Sequence, residues 1–286
     1  MSLTTVLLGP HVANDLLMAR YSSLKQAKGA AAGAGNSRKA IRSGTSPTSL
    51  TLPRQKPHRM MYDWLLFDAD NTIWDFDAAE AHALERTLLE RDLEWSQEVL
   101  STYRLINRAA WDDFEKGRLP KEQLRDIRFK RLLEHYRHDH PAEELSLSYR
   151  NYLAASHHLL EGALDVLQRV QGRYRLGLIT NGLKEVQRPR LQNTGIAPFF
   201  DFIAISDEIG VAKPDAAFFA HAQACMGHPG KDRVLVIGDN PNADIRGALD
   251  FGYDACWLRL PGTANHPKLG ATYQIRRISE LPDVLK

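Results

Sequence analysis

Apolar residues along this chain follow two rhythms. Five short runs, "DWLLFD" (63–68), "YRLGLIT" (174–180), "FDFIAIS" (200–206), "RVLVIGD" (233–239) and "DACWLRL" (254–260), are of strand length and carry apolar residues without strict alternation. Unbroken runs of that kind fit strands covered on both faces. Most of them are separated by amphipathic stretches such as 183–192 and 216–226. The alternation predicts an α/β fold: a Rossmann-like, mostly parallel sheet with helices on both faces.

One interval breaks the rhythm. About 105 residues separate the first run from the second, and they read as helix throughout: "DAAEAHALERTLLERDL", "EVLSTYRLINRAAWDDFEKG", "KEQLRDIRFKRLLEHY" and "AEELSLSYRNYLAAS". Pro120 and Pro141 stand where two of these begin, at the first-turn position that suits proline. The spacing predicts a helical domain over 77–158 inserted into a core made of 61–76 and 159–286. No internal repeat is present.

Composition then separates a tail from the body. Residues 28–57 are rich in Gly, Ala, Ser, Pro and basic residues and poor in large apolar ones, so residues 1–60 are expected to be a disordered basic tail. Their character leaves three readings open: a plain tail, an organelle transit peptide, or a start codon that truly lies at Met60 or Met61. The chain's net charge of +2 hides an asymmetry, because residues 1–60 hold nine Lys and Arg against Asp15 alone, which leaves the body at −6. Such a body is a poor partner for nucleic acid polymers. Only Cys225 and Cys256 are present; both are expected in the core, without a disulfide, in a reducing cytoplasmic setting. No apolar run approaches the roughly 18–20 residues of a membrane span.

The unusual polar groups fall at the ends of the predicted strands, where open parallel sheets gather ligands. The first run delivers Asp68 and Asp70, the second Thr180 and Asn181, the third leads to Lys213, and the fourth delivers Asp239 with Asp244 five residues on. Four carboxylates in one place would raise each other's pKa, and a divalent cation relieves that; all-oxygen donors suit Mg2+. Lys213, Thr180, Asn181 and backbone N–H groups would complete a site for a phosphoryl dianion. No P-loop, G-x-S-x-G or H-E-x-x-H motif supplies another nucleophile. An aspartate can itself attack phosphorus, and a second carboxyl group can move the protons.

The four ordered motifs "FDADNT", "LITNG", "AKPD" and "GDNPNAD" resemble those of the haloacid dehalogenase superfamily of phosphohydrolases, over residues 62–286. The resemblance implies Asp68 as nucleophile, Asp70 as general acid and base, and Thr180 and Lys213 as phosphoryl holders. It also implies Mg2+ held by Asp68, the backbone carbonyl of Asp70 and Asp239, with Asp244 at the metal water or behind Lys213. Asn71 stands where the family often has Gly, which puts the local turn in question. Dehalogenases of the superfamily lack the acid at Asp70, so a phosphatase is implied instead. The inserted helices resemble the mobile cap of the first cap type, which implies a small phosphate monoester as substrate.

A closer resemblance, to the noncanonical pyrimidine 5′-nucleotidases of that superfamily, runs through "FDADNTIWDFDAAE", "NRAAWDDFEKGRL", "ITNGLKEVQRPRLQNTGI", "ISDEIGVAKPDAAFF" and "GDNPNADIRGALDFGYDACWL". It implies hydrolysis of nucleoside 5′-monophosphates by a monomer or weak homodimer. The rivals are a phosphatase or phosphomutase for sugar phosphates and, outside enzymes, a binding module docking through the basic tail. Trp111 and Phe114, three apart on a predicted cap helix, either pack internally or stack on a nucleobase. Trp74, just past the first motif, is a candidate for the flap or the substrate wall. The cluster "HYRHDH" (135–140) reads as a solvated helix end.

Overall fold

The computed structural model describes residues 62–286 apart from 265 and 267; the basic tail, and the disorder expected of it, lie outside the described residues. Five strands form where the apolar runs stand: β1 (Trp64–Phe67), β2 (Arg175–Thr180), β3 (Phe202–Ile205), β4 (Val234–Gly238) and β5 (Asp254–Leu258). A sixth, β6 (Tyr273–Ile275), joins one edge. Its three residues form no apolar run, so the sequence reading passes over it. All pair in parallel, in the order β3-β2-β1-β4-β5-β6.

Side chains alternate across the sheet, and each face has its own core. Leu65 and Phe67 pack with Val166, Leu167 and Val170. Trp64 and Leu66 pack on the other side with Phe218, Phe219 and Ala222. Burial on both faces is the reason β1 reads as a continuous apolar run. Its register sets Phe67 beside Leu178 and Ile237. The carboxyl ends of β1, β2 and β4 therefore finish level, where β1 and its two neighbours deliver their polar residues.

The long interval folds as four helices: α1 (Phe76–Leu89), α2 (Gln97–Glu115), α3 (Lys121–Tyr136) and α4 (Ala142–Ala155). Asp75 and Ser96 cap the first two, accepting from Ala78 and Val99 N–H at 2.9 and 3.2 Å. Pro120 and Pro141 lie one residue earlier than expected. They are the capping residues themselves, with extended ψ of 145° and 113°, and their carbonyls accept from Leu124 and Leu145. The four helices surround an apolar cluster of their own that includes Leu84, Leu88, Tyr103, Phe129 and Tyr149, and it takes in Leu183 and Val186 from beyond β2.

Six further helices flank the sheet: α5 (Ala163–Val170), α6 (Lys184–Thr194), the single turn α7 (Ser206–Ile209), α8 (Ala216–Cys225) and the short α9 (Gly247–Phe251) and α10 (Leu281–Val284). Two chain crossings join the helical layer to the sheet, and they pair with each other. Asp75 N–H donates to His158 O at 3.1 Å and Leu160 N–H to Ile73 O at 2.9 Å. Cys256 is buried as expected, whereas Cys225 is exposed, because it falls on the outer side of the last turn of α8; both are free thiols. Among the described residues no helix is long and apolar enough to cross a membrane.

Candidate active site

The turn after β1 is built around one carbonyl. Ala69 O accepts the N–H groups of Ile73 at 2.9 Å and Trp74 at 3.0 Å. Asn71 takes φ of 58°, the left-handed region that Asn tolerates better than other residues with a Cβ. Its Oδ1 accepts Phe76 N–H at 3.1 Å. Asn therefore takes the left-handed turn that Gly would and also helps to hold the entry to α1, which resolves the question raised by the missing Gly.

Lys213 gathers the carboxylates. Its Nζ is buried and donates to Asp68 Oδ1 at 2.6 Å, Asp244 Oδ1 at 2.6 Å and Ile179 O at 2.8 Å. Three acceptors satisfy all three ammonium protons. Burial by itself would pull the ammonium pKa down, but the Asp244 and Asp68 charges outweigh it and hold it above the ordinary lysine value. Gly238 is required beside this group, since a Cβ there would stand 2.3 Å from Asp244 Oδ2. That oxygen accepts Asn240 N–H at 3.0 Å.

Asn181, expected to donate to phosphate, lines the same space as Asp68 and Lys213 and braces the lysine loop with one of its two amide N–H groups. Its amide bonds the main chain of Lys213 in both directions, Nδ2 to Lys213 O and Lys213 N–H to Oδ1, each at 2.8 Å. It ties the end of β2 to the lysine loop. Thr180 is buried, and its Oγ1 accepts from Gly182 N–H at 3.1 Å and Gln187 Nε2 at 3.2 Å. Its own hydroxyl proton can still point at an anion.

Asp70 stands apart from the lysine group. Arg190 Nη1 donates to its Oδ1 at 2.5 Å and Gln187 Nε2 to its Oδ2 at 2.7 Å. Neither Gln187 nor Arg190 was singled out in the sequence. The available signal was weak: both fall on the stripe of α6 that carries Val186 and Leu191, so two polar residues occupy an apolar face.

Asp68, Asp239 and Asp244 each offer a carboxylate oxygen within 4.8 Å of the others. Burial, then the Asp244 charge, pushes the Asp68 carboxyl up to about 7 against the pull of Lys213. Burial, followed by Asp68 and Asp244, drives Asp239 up as well. Three crowded carboxylates that offer oxygen donors alone fit a hard divalent cation such as Mg2+. Asp244 meets the spacing, although both its oxygens already accept hydrogen bonds from Lys213 and Asn240.

A cavity of about 230 Å3 opens over these groups, lined by Asp68, Asp70, Thr180, Lys213 and Asp239 and closed from the helical layer by Phe76, Asn107 and Trp111. Trp111 thus reaches the site. Phe114 does not line it; its ring stands edge-on behind Trp111, with centroids 5.8 Å apart, in a small cluster with Ala110, Leu119 and Leu124. Trp74 is fully buried in the sheet core beneath the Arg190 guanidinium, 4.2 Å from the ring centroid, and is not part of the wall. Ile73 and Trp74 turn back onto Ala69 O, which sends both side chains into the core, whereas Phe76 two residues on faces the cavity.

Parallel strands that end level on a loop with two aspartates, a buried lysine and an acidic cluster define a class. The haloacid dehalogenase-like hydrolase profile matches residues 62–252, and the chain belongs to that family. Among its relatives are the pyrimidine 5′-nucleotidase YjjG of Escherichia coli, 32% identical over 79% of this chain and 99% of the relative, and the pyrimidine 5′-nucleotidase PynA of Streptococcus pneumoniae, 35% identical over 79% and 96%. The crystal structure of the HAD-hydrolase YfnB of Bacillus subtilis, bound to magnesium, superposes with a TM-score of 0.75 at 34% identity, covering 79% of this chain and 99% of that one.

Proposed function

We propose that the protein is a Mg2+-dependent phosphomonoesterase that hydrolyses nucleoside 5′-monophosphates, with pyrimidine nucleotides preferred, through an aspartyl phosphate on Asp68. The observation that carries the chemistry is the placement of Asp68 at the floor of the cavity, with one oxygen held by Lys213 and the other left to attack. The preference is supported by the two nucleotidase relatives, whose similarity extends through the helical layer.

Asp68 attacks phosphorus, the bond from phosphorus to the 5′ oxygen breaks, and Asp70 gives its proton to that oxygen. Asp70, now a carboxylate, takes a proton from water, whose oxygen attacks phosphorus and releases Asp68 and inorganic phosphate. Lys213 and the Thr180 hydroxyl offset the charge of the transferring group. Mg2+, held by Asp68, the Asp70 carbonyl and Asp239, with Asp244 in reach, would supply further neutralisation of the phosphoryl oxygens. We also propose that residues 77–158 serve as a cap: Asn107 and Trp111, beside Phe76, close one side of the cavity, and two paired crossings carry the chain between that layer and the sheet.

The test is phosphate release from UMP, dUMP, dTMP, CMP, AMP, GMP and several sugar phosphates, with Mg2+ and with EDTA. Mg2+-dependent release favouring the pyrimidine nucleotides is expected. A preference for sugar phosphates would keep the chemistry and discard the nucleotidase, and loss of all turnover in Asp68→Asn would tie it to this site.

A further inference from the structure

We infer that Arg190 is a positioning residue that fixes the carboxyl group of Asp70 for proton transfer to the leaving oxygen, an inference that rests on the reading of Asp70 as the acid and base. Arg190 is completely buried. Its guanidinium carbon sits over the ring of Trp74, 4.2 Å from the centroid, Trp74 is itself completely buried, and Nη1 reaches Asp70 Oδ1 at 2.5 Å. Gln187, one helical turn earlier, holds the other oxygen at 2.7 Å and is itself bonded to Thr180 at 3.2 Å and to Arg190 at 3.4 Å. The two oxygens of Asp70 are thus held from two sides by groups on one helix.

This arrangement is costly as packing. Arg190 Nε and Nη2 find no hydrogen-bond partner among the described residues, nor does Trp74 Nε1. Burying a cation with unpaired donors is unfavourable, and an apolar side chain of similar volume is often neutral or better at such a place. The Trp74 face returns part of the cost through the cation–π contact. What a Leu or Met at 190 would lack is a fixed, charged donor that pins a carboxylate in one orientation. Asp70 is partly exposed to the cavity, on a side chain that would otherwise be free to turn. Proton transfer to a departing oxygen demands that the carboxyl group be aimed, and small misplacements are expensive.

A positional role has a signature that a structural one lacks. In the first half-reaction the Asp68–phosphorus bond forms, the phosphorus–oxygen bond breaks, and the Asp70 proton moves to the leaving oxygen. A nucleoside alkoxide needs that proton, whereas p-nitrophenolate leaves without it. The ratio kcat/KM covers steps only as far as the first irreversible one, so it reports this half-reaction and excludes the hydrolysis of the intermediate.

The experiment measures kcat/KM for UMP and p-nitrophenyl phosphate in wild type, Arg190→Leu, Arg190→Lys and Asp70→Asn, with circular dichroism to establish folding. Arg190→Leu is expected to lose about 30-fold or more on UMP and less than about 3-fold on p-nitrophenyl phosphate, a fraction of the 10²–10⁴ that general acid catalysis supplies. Arg190→Lys, which keeps the cation and loses the planar fork, should lie between. Equal losses on both substrates in Arg190→Leu would overturn the inference. Should that variant fail to fold, a wild-type substrate ratio in Arg190→Lys would do the same. Asp70→Asn separates the two failures: if it slows both substrates equally, the reading of Asp70 as acid falls; if it discriminates and the Arg190 variants do not, Arg190 alone is misread.

Discussion

Lys213 joins two of the site's carboxylates to the end of β2. Removing its ammonium would leave Asp68 and Asp244 facing each other in a buried space with Asp239 close by. Lys213→Met is therefore expected to cost about 3–5 kcal/mol, the usual range for breaking a buried ion pair on one side, read from urea denaturation of the metal-free protein. A loss below about 1 kcal/mol, typical of an exposed pair, would show that the carboxylates are neutralised by other means. At this scale the charged residues were legible in the sequence, because strands that run into carboxylates and lysines have few structural reasons to do so. The amides were not. Asn181 reads only as a donor for phosphate yet also ties Lys213 to β2, and Asn71 reads as a departure yet supplies both the left-handed turn and a cap. An amide both donates and accepts, so its partner is decided by whichever backbone the fold brings near.

Among the elements, α6 does the most varied work. It sends Gln187 and Arg190 to Asp70, while Val186, with Leu183 just before it, enters the apolar cluster of the four inserted helices. Glu185 reaches the same layer by pairing with Arg125 at 2.7 Å, on side chains 35% and 27% exposed. The apolar seam should dominate the junction. Leu183→Ala is expected to cost about 2–5 kcal/mol, whereas Glu185→Ala should cost about 1 kcal/mol or less, since partly exposed pairs are screened by water. Equal losses in urea denaturation would mean that the helices are held by charge. The sequence showed α6 only as an amphipathic stretch. Its dual role was hidden because one stripe of the helix serves two neighbours, which periodicity cannot separate.

Over the whole molecule, charge and metal act together. The raised carboxyl of Asp68 binds its proton more tightly in the fold than in the unfolded chain, where an aspartate titrates near 3.8. This contribution to stability is complete below about pH 4 and is lost as the pH rises through about 7. Mg2+ binds the ionised carboxylates, so its stabilisation grows across the same window. Metal-free protein is expected to melt at a lower temperature at about pH 8 than at about pH 5.5 on account of this group, and the gain in Tm from Mg2+ should be larger at the higher pH. A gain from Mg2+ that is equal at both values would separate the cation from these carboxylates.

The sequence by itself determined the parallel α/β sheet, the four inserted helices and the residues that end β1, β2 and β4, because burial on both faces and turn chemistry write themselves into local order. It also carried Asp68, Asp70, Thr180, Lys213 and Asp239 in the right order along the chain. Only the tertiary structure decided that Arg190 and Gln187 clamp Asp70, that Asn107 and Trp111 reach the cavity while Phe114 and Trp74 do not, and that β6 closes the sheet edge. Those outcomes depend on which faces meet between segments distant in the chain, 120 residues apart for Asp70 and Arg190. Strand and helix periodicity records that a face is buried, and the partner it is buried against is set by the packing of the whole.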